Sequence, residues 1–124
     1  MGKNQELKTK HQLLGKTGEQ FAQKFLTQIG YKILKTNYRC RHGEIDIVCQ
    51  DGKTIVFVEV KTRTSEKFGT PSEAVTSRKQ NHLHRAAWEY LIKNNLESQP
   101  VRFDVLTLSF FSSHPEIEHI IGAF

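Results

Sequence analysis

The stretch Glu44-Ile45-Asp46-Ile47-Val48-Cys49-Gln50-Asp51-Gly52-Lys53-Thr54-Ile55-Val56-Phe57-Val58-Glu59-Val60-Lys61 decides how the rest of the chain is read. Two alternating, β-branched runs flank an Asp-Gly pair, the strongest short-range signal for a β-hairpin. With Asp51-Gly52 as a two-residue turn, Gln50 faces Lys53, Val48 faces Ile55, Asp46 faces Phe57 and Glu44 faces Glu59. Alternation then collects Glu44, Asp46, Val48, Ile55, Phe57, Glu59 and Lys61 on one face, and Ile45, Ile47, Cys49, Val56, Val58 and Val60 on the other. The second face is wholly apolar and requires a cover. On the first, three carboxylates crowd at the end away from the turn, where opposed Glu44 and Glu59 repel each other. An exposed strand end on which Lys61 neutralises one acid is the plainer reading. The register favours a divalent cation instead, because clustered carboxylate oxygens are ligands for hard cations. A bulge in either strand would undo the parity behind this.

Working outward, Phe21, Ala22, Phe25, Leu26 and Ile29 recur at helical spacing, which predicts a first helix over residues 13 to 29 with Gly30 as its stop. Gly15 and Gly18 fall in its apolar stripe, where small residues allow close approach to a sheet. Glu19 falls at the stripe's edge, either reaching the acidic cluster or complementing the helix dipole. Residues 1 to 12, with Lys3, Lys8 and Lys10, read as a flexible basic arm ahead of one domain spanning 13 to 124. A strand from Tyr31 to Tyr38 leads into the loop Arg39-Cys40-Arg41-His42-Gly43, which opens onto Glu44. The segment Thr62 to Thr70, with Arg63 and Lys67, leaves the hairpin at the same end. The acids therefore sit between two basic loops, an arrangement suited to clamping a phosphate backbone.

After a turn at Pro71 to Val75, Ser77 and Gln80 form a capping box that opens a second helix to about Asn94, its inner stripe Leu83, Ala86, Ala87, Tyr90 and Leu91. Lys79 and Gln80 continue that inward face at the helix N-terminus, towards the acids, with a solvated rim as the alternative for Lys79. Arg78, His82, Arg85 and Trp88 read as surface or partner contacts. Strands follow at Val101 to Leu108 and Glu116 to Ile121. Asp104, inside an apolar strand, is expected to pair with Arg102 or with an arginine of the basic loops.

A chain of 124 residues is one domain, and 18 basic against 13 acidic residues give a net charge of +5, a bias towards polyanions. Cys40 and Cys49 are too few for a disulfide framework and read as reduced thiols of a cytoplasmic protein. No secretory signal or bilayer-length apolar run is present. Zinc-ligand spacing, a Walker loop, a dinucleotide fingerprint and a nucleophile elbow are absent. The order helix, three-strand meander, helix, strand, strand predicts three α/β/α layers. The helical crossover sets the fourth strand parallel to the third, and the five-stranded mixed sheet has order 1-2-3-4-5.

Asp46 followed by Glu59-Val60-Lys61 resembles the restriction-endonuclease-like superfamily with the PD-(D/E)XK motif, in its Holliday-junction-resolvase-like branch. Gly18-Glu19, Asn37-Tyr38-Arg39-Cys40-Arg41, Gly43-Glu44-Ile45-Asp46, Phe57 to Arg63, Glu73-Ala74-Val75, Arg102-Phe103-Asp104-Val105 and Ala123-Phe124 together resemble the YraN-like family of uncharacterised predicted endonucleases. Ile45 stands where the superfamily has proline, a residue that suits a buried strand. The resemblance implies that Asp46 and Glu59 are metal ligands, with Glu44 and Val60 as further members of the metal set. It makes Lys61 the residue that orients or activates water, Glu19 a support from the first helix, and Gln80 the polar residue of the second. The implied activity is a Mg2+- or Mn2+-dependent endonuclease on DNA, with branched DNA suggested by the resolvase branch and a homodimer by its relatives. Arg39, Arg41, His42, Arg63 and Lys79 would bind nucleic acid. Two other classes compete. One is a nucleic-acid-binding module that keeps the nuclease fold without cutting, and the other a structural protein whose acids are spent on Arg39, Arg41 and Arg63.

Overall fold

The computed structural model describes residues 10–63, 75–110 and 115–124, with side chains of the first helix from residue 17 onward. Its elements are α1 (Lys10–Gln28), β1 (Lys32–Cys40), β2 (Gly43–Asp51), β3 (Thr54–Arg63), α2 (Ser77–Lys93), β4 (Val101–Ser109) and β5 (Glu116–Ile120). The five strands form one sheet in the order β1-β2-β3-β4-β5. Only β3 and β4 are parallel, joined through α2; the other neighbours are antiparallel. The expected three-layer architecture and strand order are therefore the observed ones. No helix among the described residues is long and apolar enough to cross a membrane.

Each face of the sheet carries its own core. Ala22 and Leu26 of α1 pack with Tyr31, Ile47, Cys49, Val56, Val58, Leu106 and Leu108. Leu83, Ala86, Ala87, Tyr90 and Leu91, the whole inner stripe read from the sequence, pack with Val48, Ile55, Phe57 and Val105 on the other side. α1 begins at Lys10, so residues 10 to 12 belong to the helix and not to an arm; residues 1 to 9 lie outside the described part. It ends at Gly30, φ +96, where Tyr31 N–H donates to Leu26 O at 2.9 Å. Gly18 lets α1 touch the sheet: a Cβ there would stand 2.5 Å from Thr62 Oγ1.

The hairpin register differs from the sequence reading by two residues. Asp51 pairs with Thr54, Gln50 with Ile55 and Val48 with Phe57, so the turn is Gly52-Lys53. Gly52, φ +61, takes the first central position, as a type II′ hairpin turn prefers. A two-residue shift preserves parity, so Val48, Ile55 and Phe57 still share a face, but Glu44 no longer opposes Glu59. The alternation does break at Asp46, because Ile45 packs with the α2-side core while Ile47 packs with the α1-side core. The break lies between the pairs Thr36–Ile47 and Tyr38–Ile45, beside Asn37 with its left-handed φ of 50. The β1–β2 connection is also tighter than a loop. Arg39 and Cys40 are strand residues, Cys40 pairs with Gly43, and only Arg41-His42 turns the corner. Arg63 is the last residue of β3, paired with Ser109, and not part of a loop. Residues 64 to 74, with Lys67 and the expected turn, lie outside the described part. α2 is capped by Thr76, whose hydroxyl accepts from Lys79 N–H at 3.2 Å, one residue ahead of the expected Ser77.

Candidate active site

β2 and β3 pair from the turn as far as Ile47–Val58, and the site lies just beyond that last pair. There the Asp46 carboxylate takes over the role of a ladder carbonyl, its Oδ2 accepting the Val60 N–H at 2.8 Å. Glu59, on the face shared with Phe57, projects beneath α2, and its side chain is only 7 % exposed. Two ammonium groups converge on one of its oxygens: Lys79 Nζ from the first turn of α2 at 3.1 Å and Lys61 Nζ from its own strand at 4.0 Å, both to Oε1. The other oxygen, Oε2, is buried and has no hydrogen-bond partner among the described residues. A buried carboxylate oxygen without a donor is costly in a folded protein.

The electrostatics match this geometry. Burial pushes the Asp46 carboxyl up to about 8; the Glu59 charge adds to the rise, the Val60 N–H opposes it, and Glu19 of α1 adds further. Burial also holds Lys61 below the ordinary lysine value, with Lys79 beside it acting in the same sense and Glu59 and Asp46 pulling the other way. Acidic neighbours favour the charged form of Lys61, and burial, reinforced by the second cation on the same carboxylate, outweighs them. Lys79 is raised. Burial works against its charge, but its contacts with Lys61, Glu59 and Asp46 outweigh that. Of the two, Lys61 is the more buried and the readier to give up its proton.

Asp46, Glu59, Lys61 and Lys79 are thus brought together, with Glu19 close enough for its charge to be felt at Asp46. Gln80 is not among them: its side-chain amide donates to Val75 O at 3.1 Å and closes the segment ahead of α2. Glu44 turns outward to Arg39, with Oε1 3.6 Å from Nε. Val60 enters through its N–H, a donor to Asp46. Arg41 is exposed and His42 half-buried at the hairpin corner, and Arg39 is exposed beside them. A cleft of about 340 Å³ runs between this corner and the start of α2, lined by Gly43, Glu44, Thr76, Arg78, Lys79, His82 and Leu83. Arg78 and His82, which the sequence reads as surface or partner contacts, line this cleft. Their signal is tertiary, since the cleft forms only where the start of α2 lies beside Gly43 and Glu44 of β2.

Among the described residues no three His, Cys, Asp or Glu side chains gather as a ready-made metal site. The donor set is a pair, Asp46 and Glu59, with one buried Glu59 oxygen that has no partner among the described residues. That set fits Mg2+ or Mn2+, which bind through one or two carboxylates and keep water or phosphate oxygens at their remaining positions.

A three-layer α/β/α domain with sheet order 1-2-3-4-5, and with a carboxylate pair and a lysine where its two central strands part, has the architecture of the restriction-endonuclease-like fold. The model of the family described as "Uncharacterised protein family UPF0102" matches residues 18–108, and the chain belongs to that family, the one its motifs resemble under the name YraN. A UPF0102 protein of Geobacter metallireducens is 53% identical over 111 residues, covering 90% of this chain and 91% of its own. One of Syntrophus aciditrophicus is 49% identical over 110 residues, covering 89% and 87%. Among solved structures, Pyrococcus furiosus SfsA in complex with Ca2+ matches 88% of this chain and 62% of that one, at 16% identity and a TM-score of 0.37, too distant a likeness to bear on activity.

Proposed function

We propose that this protein is a metal-dependent endonuclease that hydrolyses phosphodiester bonds of DNA. The observation that carries the reading is Glu59: a strand carboxylate 7 % exposed, with Oε2 unpartnered among the described residues, set beside a second carboxylate that burial and charge already strain. Asp46 and Glu59 would hold Mg2+ or Mn2+. When bound, the ion supplies an activated water and neutralises charge on the scissile phosphate.

The remaining work falls to the chain. Lys61, with its proton loosened by burial, orients the attacking water and accepts its proton. The Val60 N–H fixes the Asp46 carboxylate in one orientation, and Glu19 adds negative charge from the α1 side. Arg39, Arg41, His42, Arg78 and His82 surround the approach to the site and suit a phosphate backbone, as does the net charge of +5. Cys40 and Cys49 are unpaired, in keeping with a reducing, cytoplasmic setting.

The test is a cleavage screen of linear, flapped and four-way DNA with and without Mn2+. Mn2+-dependent cutting that disappears in Asp46→Asn supports the reading. Tight, metal-independent binding without any cutting favours the non-catalytic module.

A further inference from the structure

Lys79 belongs to two places at once. Its ammonium lies 3.1 Å from Glu59 Oε1, yet the residue also lines the cleft formed by Gly43, Glu44, Thr76, Arg78, His82 and Leu83. Its side chain is 39% exposed against 7% for Glu59, so one end of its range is the buried carboxylate and the other is the open cleft. Lys61 already offers a cation to the same Glu59 oxygen, at the longer distance of 4.0 Å. In the absence of any other cation, Lys79 thus supplies the closer positive charge to an otherwise strained pair of acids.

We propose that Lys79 is a latch joining the carboxylate pair to the cleft. Without nucleic acid it caps Glu59 and competes with a divalent cation for that carboxylate. A phosphate entering the cleft draws the ammonium away, which leaves Glu59 open, so cation and nucleic acid bind with positive coupling through this side chain. The inference rests on the metal-site reading above and adds what regulates that site. A flexible four-carbon stem carrying a point charge suits such an exchange, because no fixed two-pronged geometry has to be broken. Coupling is reciprocal, so the factor by which DNA tightens the cation must equal the factor by which the cation tightens DNA.

The experiment is calorimetric titration of Mn2+ into the full chain, alone and saturated with a short DNA duplex whose linkages are phosphorothioates, for the native protein, Lys79→Met and Lys79→Arg. The native protein should bind Mn2+ at least about fivefold more tightly with the duplex present, a coupling of the size typical between two sites. Lys79→Met should tighten Mn2+ in the absence of DNA and shrink the coupling by a similar factor. Lys79→Arg, which keeps the charge and can grip a carboxylate with two parallel hydrogen bonds, should move the DNA-free affinity the opposite way. Opposite signs from two substitutions separate a latch from a general loss of folding. If Mn2+ and duplex both bind but the coupling is the same in all three proteins, the latch is wrong and the metal site stands. If none of them binds Mn2+ with or without duplex, the metal reading itself falls and takes the latch with it.

Discussion

The molecule buries two groups of acids in its central sheet, and they are treated in opposite ways. Asp104 is 0% exposed, and every oxygen is occupied. Its Oδ1 accepts from Arg102 Nε at 2.9 Å and Gly122 N–H at 3.0 Å, while Oδ2 meets Arg102 Nη2 at 3.0 Å and His119 Nε2 at 2.7 Å. Arg102 is itself held by Asp51 and by the Tyr31 hydroxyl. Burial alone would raise the Asp104 carboxyl, but these donors bring it below its ordinary value. At Asp46 and Glu59 burial wins: Asp46 is pushed up to about 8 and Glu59 Oε2 has no donor among the described residues. Burial of charge therefore does not identify a functional site in this fold. Between the two groups of acids the donors differ: a satisfied network fastens β4 to the hairpin and the C-terminal residues, whereas the other pair leaves an oxygen without a donor among the described residues.

The comparison can be broken most forcefully at Asp104. Asp104→Asn should cost about 3 kcal/mol or more of folding stability, because it leaves a partly buried arginine without its main counter-charge. Asp46→Asn, the same chemical change, should be neutral or stabilising in metal-free protein at neutral pH, since the folded state no longer has to hold a proton that the unfolded chain releases. Chemical denaturation of the two variants side by side checks this, and equal losses would erase the distinction. Activity should rank them in reverse. Asp46→Asn is expected to lower Mn2+-dependent cleavage roughly 100-fold or more, on the order of 3 kcal/mol of transition-state stabilisation, while Glu19→Gln, acting from the neighbouring helix, loses less.

The pH dependence sharpens the same contrast. The folded state keeps the Asp46 proton to about pH 8, whereas the unfolded chain releases it near the ordinary value of 3.8. Between those limits the native state binds more protons, so this group's contribution to stability declines as pH rises through the window. Asp104 has the opposite sign. Its folded value is depressed, so its contribution is complete above the ordinary carboxylate range and is lost as pH falls below it. Stability curves from pH 4 to 8 should therefore be flatter for Asp46→Asn than for the native protein. A parallel curve would mean that Asp46 ionises normally. The smallest expected effect is on DNA affinity: Arg41→Ala and Arg63→Ala should each weaken binding across unrelated sequences and lower the salt slope by about one phosphate contact. An unchanged slope would move the binding surface elsewhere.

Much of the site was legible because its signals are local. The inner stripe of α2 follows from helical spacing, and projecting that stripe back by one turn brings Lys79 to the acids, where it is found. The faces of Val48, Ile55 and Phe57 survived a wrong turn assignment because two residues is a full period of a strand. What stayed hidden depends on contacts between distant segments. Where its strand's alternation breaks, the Asp46 side chain accepts the Val60 N–H, 14 residues away, and Asn37 on a third segment adopts a left-handed conformation beside it. The pairing of Asp104 with Arg102 is a two-residue relation that the sequence suggests, but His119 and Gly122 N–H come from the strand and turn beyond it. The lowering of Lys61 by burial, with Lys79 acting in the same sense, depends on the packing of α2 over β3, which a strand motif alone does not contain.

The most direct test of the central claim, that the unsatisfied pair holds a divalent cation, is the melting temperature as a function of Mn2+ concentration in the native protein, Asp46→Asn and Glu44→Gln. A cation that binds only the folded state raises the melting temperature progressively with concentration. The native protein and Glu44→Gln, whose acid is already turned to Arg39, should both show that rise, and Asp46→Asn should not. An equal rise in the native protein and Asp46→Asn would contradict the account, because the cation would then be bound away from the Asp46–Glu59 pair.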